Sequence, residues 1–399
     1  MTHPPLSRRS FLVGGVRLTA IGALAPMAVA APIARRAEVD RILVVLQLSG
    51  GNDGLNTVVP HGQDAYYRAR PTLAQDAGSI HRIDEHVGLH SALGGLSELY
   101  AEGSVALVHG VGHPAADRSH FRSMEIWHTA EPFAPAGRVG WLGHLADQLS
   151  AREAGSLPAL SVGGSGSLLS MRGATAVPPA VPSGDGFRLA EAPAAVARER
   201  AKLVQARGDD GDLAFLRAAA RSAYDAADRM GAITRESSSV EYPDHALARE
   251  LRLVSQLVRG GFGTRIFHLE LGGFDTHASQ SAVHADLLGR LDGALTAFQR
   301  DLEASGDADR VVTLVFSEFG RRVQENGSRG TDHGRGNPML VVGSSARGGQ
   351  HGQRPDLGAL VEGDVAATTD FRGIYRQLER DWMGLEPLSA SKVEAPRVI

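Results

Sequence analysis

The chain has 399 residues, of which 43% are hydrophobic and 22% charged, with a formal net charge of −4 and no cysteine. That length can bury a large core, and the slightly acidic balance excludes nucleic acid as a partner, because no basic stripe is available to neutralise phosphates. Without cysteine there are no disulfides, no thiolate ligands and no lipid-anchor thiol, so any metal must be held by oxygen and nitrogen.

Ser7-Arg-Arg-Ser-Phe-Leu12 has the form of a twin-arginine export signal. Arg8 and Arg9 precede a mildly apolar stretch, Leu18 to Ala34, and Ala28-Val-Ala30 fits a small-residue cleavage site. The stretch carries Thr19, Gly22 and Pro26 and is too short and too weakly apolar for a good membrane span. A disordered basic tail is the bland reading. The expectation is a leader over residues 1–30, read by the twin-arginine translocation machinery. The mature form would then be periplasmic or extracellular, with no membrane span. Its removal takes away Arg8, Arg9 and Arg17 and no acid, so Lys plus Arg falls from 41 to 38 against 45 Asp plus Glu, a charge of −7.

The rest reads as βα units in one domain, 38–399. Arg41–Leu48 is an apolar strand, followed by a helix over Ser91–Ala101 and a strand over Ser104–His109. Helices follow over Ser119–Ala130 and Trp141–Arg152. From 157 to 193 Gly, Pro, Ser and Ala dominate without period, which predicts an irregular segment with short strands at most. Residues 194–260 have helical spacing and predict two long helices, so an insertion spans about 157–260. Strands follow at Thr264–Leu271 and Arg310–Phe316, separated by a helix over Ser279–Ser305, and an amphipathic helix over Phe371–Met383 closes the chain. The alternation predicts an α/β fold, a mostly parallel central sheet with helices on both faces.

Polar, Gly-flanked clusters stand where those strands end. Loops at the carboxyl ends of parallel strands gather at one edge, and ligands bind there. Asp53 follows the first strand in Gly50-Gly-Asn-Asp-Gly-Leu-Asn56, as a metal ligand, a general base or a plain turn residue. Asp275 and His277 stand two apart in Gly272-Gly-Phe-Asp-Thr-His277, so in extended chain both point the same way. His284 follows seven residues later, for the same site or for solvent. Asp332-His333 lies in Gly330-Thr-Asp-His-Gly334, where both can bind one hard or borderline cation. Glu318, after the strand ending at Phe316, is a ligand, an acceptor orienting a histidine, or a partner of Arg321 or Arg322. Ser119 precedes the helix of Ser-His-Phe-Arg-Ser-Met-Glu-Ile-Trp127 as an N-cap. A helix N-terminus also attracts anions, and a hydroxyl beside a metal becomes a nucleophile. His113, His120, Arg118 and Arg122 crowd the same region, and Thr57 is a second hydroxyl.

Taken together, the twin-arginine start, the Asn-Asp-Gly cluster, Ser-His-Phe-Arg-Ser-Met-Glu-Ile-Trp127, Gly-Gly-Phe-Asp-Thr-His277, Ser-Glu-Phe-Gly-Arg321 and Thr-Asp-His-Gly334 resemble the domain-of-unknown-function 1501 family. The resemblance covers nearly the whole mature chain, with the motifs in order. That family is similar to the alkaline phosphatase and sulfatase superfamily. The resemblance implies an alkaline phosphatase-like core, one or two divalent ions (zinc, manganese, magnesium or calcium) and a nucleophile at a helix N-terminus. Matched to this chain, it makes Asp53, Asp332 and His333 ligands of one ion. Asp275 with His277 or His284 would hold a second, and Ser119 would be the nucleophile. His120 and Glu318 are possible additions, and His351 stands where a late histidine ligand is expected. No Cys/Ser-x-Pro-x-Arg signature is present, which argues against a formylglycine sulfatase. The implied function is an exported metal-dependent hydrolase of phosphate or sulfate esters, small or polymer-linked. The alternatives are a non-catalytic exported binding or surface-associated protein, and a metal-dependent transferase or isomerase on the same scaffold.

Overall fold

The computed structural model describes residues 40–114, 117–131, 133, 139–152, 157–163, 168–176, 178–181, 226–234, 238–389 and 393–399. The export signal lies outside the described residues. So does most of the first long helix expected in 194–260, of which the described part is helical over 226–233.

The sheet is built from β1 (Ile42–Leu48), β2 (Val105–Gly112), β3 (Ala159–Val162), β4 (Ala180–Val181), β5 (Ile266–Leu271), β6 (Val311–Phe316), β7 (Asn337–Val342), β8 (Gly349–His351) and β9 (Thr369–Asp370). The spatial order is β8-β2-β7-β6-β1-β5-β3-β4, with β9 beside β2. β1 pairs in parallel with both β5 and β6 at the centre. Its Ile-Leu-Val-Val-Leu-Gln-Leu run is buried throughout, as a strand covered on both faces requires. Among the described strands of this sheet only β7 runs against its neighbours, antiparallel to β2 and to β6.

The helices are α1 (Gly94–Ala101), α2 (His120–Thr129), α3 (Trp141–Arg152), α4 (Ala246–Arg259), α5 (Gln280–Ser305) and α6 (Phe371–Arg376), which continues as a π-helical turn to Trp382. Alternate β1 side chains enter two cores. Val44 and Leu46 pack with Leu99, Leu251 and Leu291 of α1, α4 and α5. Leu43 and Val45 pack with Trp127, Trp141 and Phe371 of α2, α3 and α6. Trp127 stacks between Phe371 and Phe316, at 4.3 and 5.1 Å between ring centres. Among the described residues no helix is long and apolar enough to cross a membrane.

The π-helical turn buries Glu379, and that burial pushes its carboxyl up from 4.5 to about 7. The folded protein thus keeps a proton that the unfolded chain releases near pH 4.5. Stability contributed by the neutral carboxyl is present below that pH and is lost as pH rises through about 7. Glu379→Gln should therefore match wild type near pH 4 and exceed it at pH 8 by about 3 kcal/mol in denaturant titrations. An equal difference at the two pH values would contradict this.

Antiparallel β7 explains the placement of the loops. β1, β2, β5 and β6 point one way, so the segments after them leave at one edge. Because β7 runs the other way, the segment before it, with Asp332 and His333, arrives at that same edge.

Candidate metal centre

Close approach of these loops depends on glycine. Gly50 has φ +116, and a Cβ there would lie 2.4 Å from the Asp275 amide nitrogen. At Gly330 a Cβ would lie 2.2 Å from the His277 carbonyl carbon. Any side chain at either position would push the Asp275–His277 loop away.

The edge brings together His120, Asp275 and His333, whose ligand atoms all lie within 4.8 Å of one another. His277 joins them, its Nε2 lying 2.9 Å from His333 Nε2 and 3.0 Å from Asp275 Oδ1. Each histidine has its Nδ1 against an oxygen that can only accept. His120 Nδ1 donates to Glu318 Oε1 at 2.8 Å. His277 Nδ1 donates to Asp332 Oδ1 at 3.2 Å. His333 Nδ1 donates to the Arg118 carbonyl at 2.7 Å. With the proton fixed on Nδ1, each neutral ring presents its Nε2 lone pair to the common centre.

Electrostatics favour an anionic Asp275 there. Burial pulls its pKa up, but the hydrogen bond and charge of Arg321 outweigh this and hold it well below the usual carboxylate value. Glu318 is similarly lowered, its burial outweighed by the His120 hydrogen bond and by backbone donors. That hydrogen bond is also the main cause of a raised His120 pKa.

These residues fit a divalent cation. The buried His120 Nε2 has no hydrogen-bond partner and stands 3.5 Å from Asp275 Oδ2. A metal-binding histidine commonly donates its other N–H to a carboxylate or carbonyl, as all three do here. The three Nε2 atoms and Asp275 would hold the ion.

Asp53 is not brought to this centre. It is fully buried, and its Oδ2 accepts from Arg70 Nη1 at 2.6 Å and from Gln280 Nε2. Burial raises its pKa, but Arg70 more than compensates and the carboxyl stays ionised. Gln280 links it to the site indirectly, accepting from Thr331 Oγ1 at 2.6 Å. The ion expected on Asp53, Asp332 and His333 thus finds a guanidinium already in place. Asp332 sits at the rim, held by Asn326 and orienting His277. His284 is buried beneath, its Nε2 3.0 Å from Asn52 Oδ1, with burial holding its pKa down at about 4. His351 is on the edge strand β8, its Nε2 engaged by the Arg347 carbonyl. Thr57 is buried, its hydroxyl donating to Asn52 Oδ1 and the Asp53 carbonyl, which removes it as a nucleophile.

Ser119 lies between Arg118, whose carbonyl holds His333, and His120. It is exposed and makes no side-chain cap. Its amide donates to Asp117 Oδ1, so the start of α2 is fixed without the hydroxyl.

The residue that sequence reasoning undervalued is Arg321. It is fully buried, and its guanidinium donates to the carbonyls of Gly50, Gly51, Phe274 and Thr331 and to Asp275 Oδ1. It ties the three Gly-rich loops together. The only signal was its place five residues after the end of a buried strand.

A family profile described as "Protein of unknown function (DUF1501)" matches residues 103–381. The chain belongs to the DUF1501 family. No curated protein matches it. Solved structures similar to this DUF1501 chain include the lipoteichoic acid synthase LtaP from Listeria monocytogenes, at 8% identity over 87% of this chain and 72% of that one, with a TM-score of 0.43. Another is the C-terminal periplasmic domain of EptC from Escherichia coli in complex with zinc, at 11% identity over 92% and 88%, TM-score 0.40. A third is a protein in the alkaline phosphatase superfamily from Vibrio parahaemolyticus, at 12% identity over 86% and 66%, TM-score 0.38.

Proposed function

We propose that this DUF1501 protein is an exported metal-dependent hydrolase of phosphate or sulfate esters. The observation that carries the reading is the convergence of His120, Asp275 and His333, joined by His277, each ring locked with Nδ1 protonated. Three nitrogens and one carboxylate suit zinc or manganese better than calcium or magnesium, which prefer all-oxygen sets. A bound cation would supply Lewis-acid polarisation of the ester oxygens and lower the pKa of a nearby hydroxyl. The rest is done by the chain. The first-turn N–H groups of α2 would stabilise an oxyanion, and Ser119 Oγ, at the same helix start, would be the nucleophile. Glu318 keeps the His120 proton on Nδ1, and Asp332 keeps the His277 proton on Nδ1.

Residues 1–30 would act as the twin-arginine leader and 38–399 as the folded domain, with the insertion at about 157–260. The substrate would be a small or polymer-linked ester.

Metal analysis of the protein purified after folded export tests this, together with turnover of an aryl phosphate and an aryl sulfate. About one tightly held equivalent and hydrolysis of one ester are expected, both lost in His333→Ala. One observation favours a non-catalytic binding protein instead: Arg321 already neutralises Asp275 at 2.8 Å. Wild-type protein that carries no metal and turns over neither ester would establish that alternative.

A further inference from the structure

We propose that Asp364 is a positioning residue for His333, acting through Arg118; its functional meaning rests on the metal-centre reading above.

Asp364 ends the tight turn Val361–Asp364, whose two ends exchange backbone hydrogen bonds at 3.0 Å. Glu362 and Gly363 have φ +55 and +83, the left-handed pair of a type I′ turn. Glutamate carries a strain at that position that glycine or asparagine would not. The turn delivers a fully buried carboxylate among three guanidinium groups. Arg118 Nη2 and Nε both donate to Asp364 Oδ2, at 2.5 and 3.2 Å. Arg335 Nε stands 3.7 Å from Oδ2 and Arg322 Nε 3.9 Å from Oδ1.

Two of these arginines flank one hydrogen bond. Arg118 supplies the carbonyl that accepts from His333 Nδ1 at 2.7 Å. Arg335 lies two residues after His333. Donor and acceptor segments are therefore anchored on the same buried carboxylate, though they come from distant parts of the chain. A carbonyl cannot donate, so this bond places the His333 proton on Nδ1 and leaves Nε2 as a lone pair toward Asp275. Asp364 is the hydrogen-bonded tie between Arg118 and the His333 loop; Glu362, 3.7 Å from Arg118 Nη2, is a longer second one. Arg322 and Glu362 strengthen the same clip, the latter bonding Arg335 Nη2 at 2.6 Å.

The test reads imidazole nitrogen shifts by NMR in metal-free protein, comparing wild type with Asp364→Asn and Arg118→Ala. Asp292→Asn serves as the control, since Asp292 receives the Gly95 and Leu96 amides at the start of α1, away from the site. Wild type and control should show His333 as the Nδ1–H tautomer. Asp364→Asn and Arg118→Ala should show a mixture or the Nε2–H form, with His144 unchanged. Zinc affinity, by competition with a chromogenic chelator, should fall about tenfold or more in both. His333 remaining wholly Nδ1–H in folded Asp364→Asn overturns the proposal. If that variant does not fold, the same result in Arg118→Ala, whose side chain is partly exposed, overturns it. The tautomer is read without metal, so a wild type that binds no zinc would defeat the hydrolase reading while leaving this result to stand or fall by itself.

Discussion

Arg321→Ala should give little or no soluble protein, and Arg321→Lys should be soluble but destabilised by several kcal/mol in urea titrations. The alanine variant abandons the carbonyls of Gly50, Gly51, Phe274 and Thr331 and the Asp275 carboxylate at once. Each buried acceptor left unpaired costs about 1–3 kcal/mol, and losing one partner of a buried ion pair costs about 3–5 kcal/mol. Against a total stability of about 5–15 kcal/mol, that loss is close to complete. Lysine keeps the charge but has three donors on one nitrogen, so it cannot serve loops on several sides. Arg300→Ala is the comparison. Arg300 pairs with Glu102 at 2.6 Å on the surface, and its loss should cost about 1 kcal/mol or less. Folded Arg321→Ala within about 1 kcal/mol of wild type would show that the loops assemble without the guanidinium. The same residue bears on ion number. Its Nη2 is 2.8 Å from Asp275 Oδ1 and its Nη1 is 3.5 Å from His277 Nε2. A fixed cation there opposes a second metal on Asp275 and His277, so one ion is the expected stoichiometry.

Why the sequence announced some of this and concealed the rest follows from range. The strands β1, β5 and β6 are mostly apolar runs, and such runs mark strands buried on both faces, as in a largely parallel, helix-covered sheet. That their following loops share an edge is then topology, and the structure places Asp275, His277 and Glu318 there. The direction of β7 left no trace in its Met-Leu-Val-Val run, because burial on both faces looks the same whichever way a strand points. Asp53 shows the complementary gap. A carboxylate past a buried strand reads equally as a ligand or as one half of an ion pair, and its partner Arg70 comes from a loop 17 residues away with no pattern to reveal it. His120 stood out only as a neighbour of Ser119. Its role depends on Glu318, 198 residues distant, and a pairing of that range is written in the fold alone.

Ser119→Ala should lower ester hydrolysis by about 10³-fold or more while metal content stays near one equivalent. Ser119 begins α2, where free N–H groups and the helix dipole favour an oxyanion. Its two neighbours are both committed to the centre, Arg118 through its carbonyl and His120 through its ring. The serine is therefore held beside the cluster by the residues on either side of it. As an N-cap it would be expected to lose about 0.5–2 kcal/mol on truncation. The structure argues for less. The hydroxyl makes no cap bond, Asp117 accepts the Ser119 amide, and the side chain is exposed. Removal of an exposed, unbonded hydroxyl should change stability by no more than about 0.5 kcal/mol. A fall in turnover at unchanged stability and unchanged metal content therefore isolates the chemical role of the oxygen. Covalent catalysis adds a second readout, a burst: wild type should release the aryl alcohol in a first fast turnover as the phosphoryl or sulfuryl group moves to the serine oxygen, and the alanine variant should not. Full activity in Ser119→Ala would remove the serine from the mechanism. A water molecule would then be the nucleophile, and the exposed hydroxyl would be a surface group at the start of a helix.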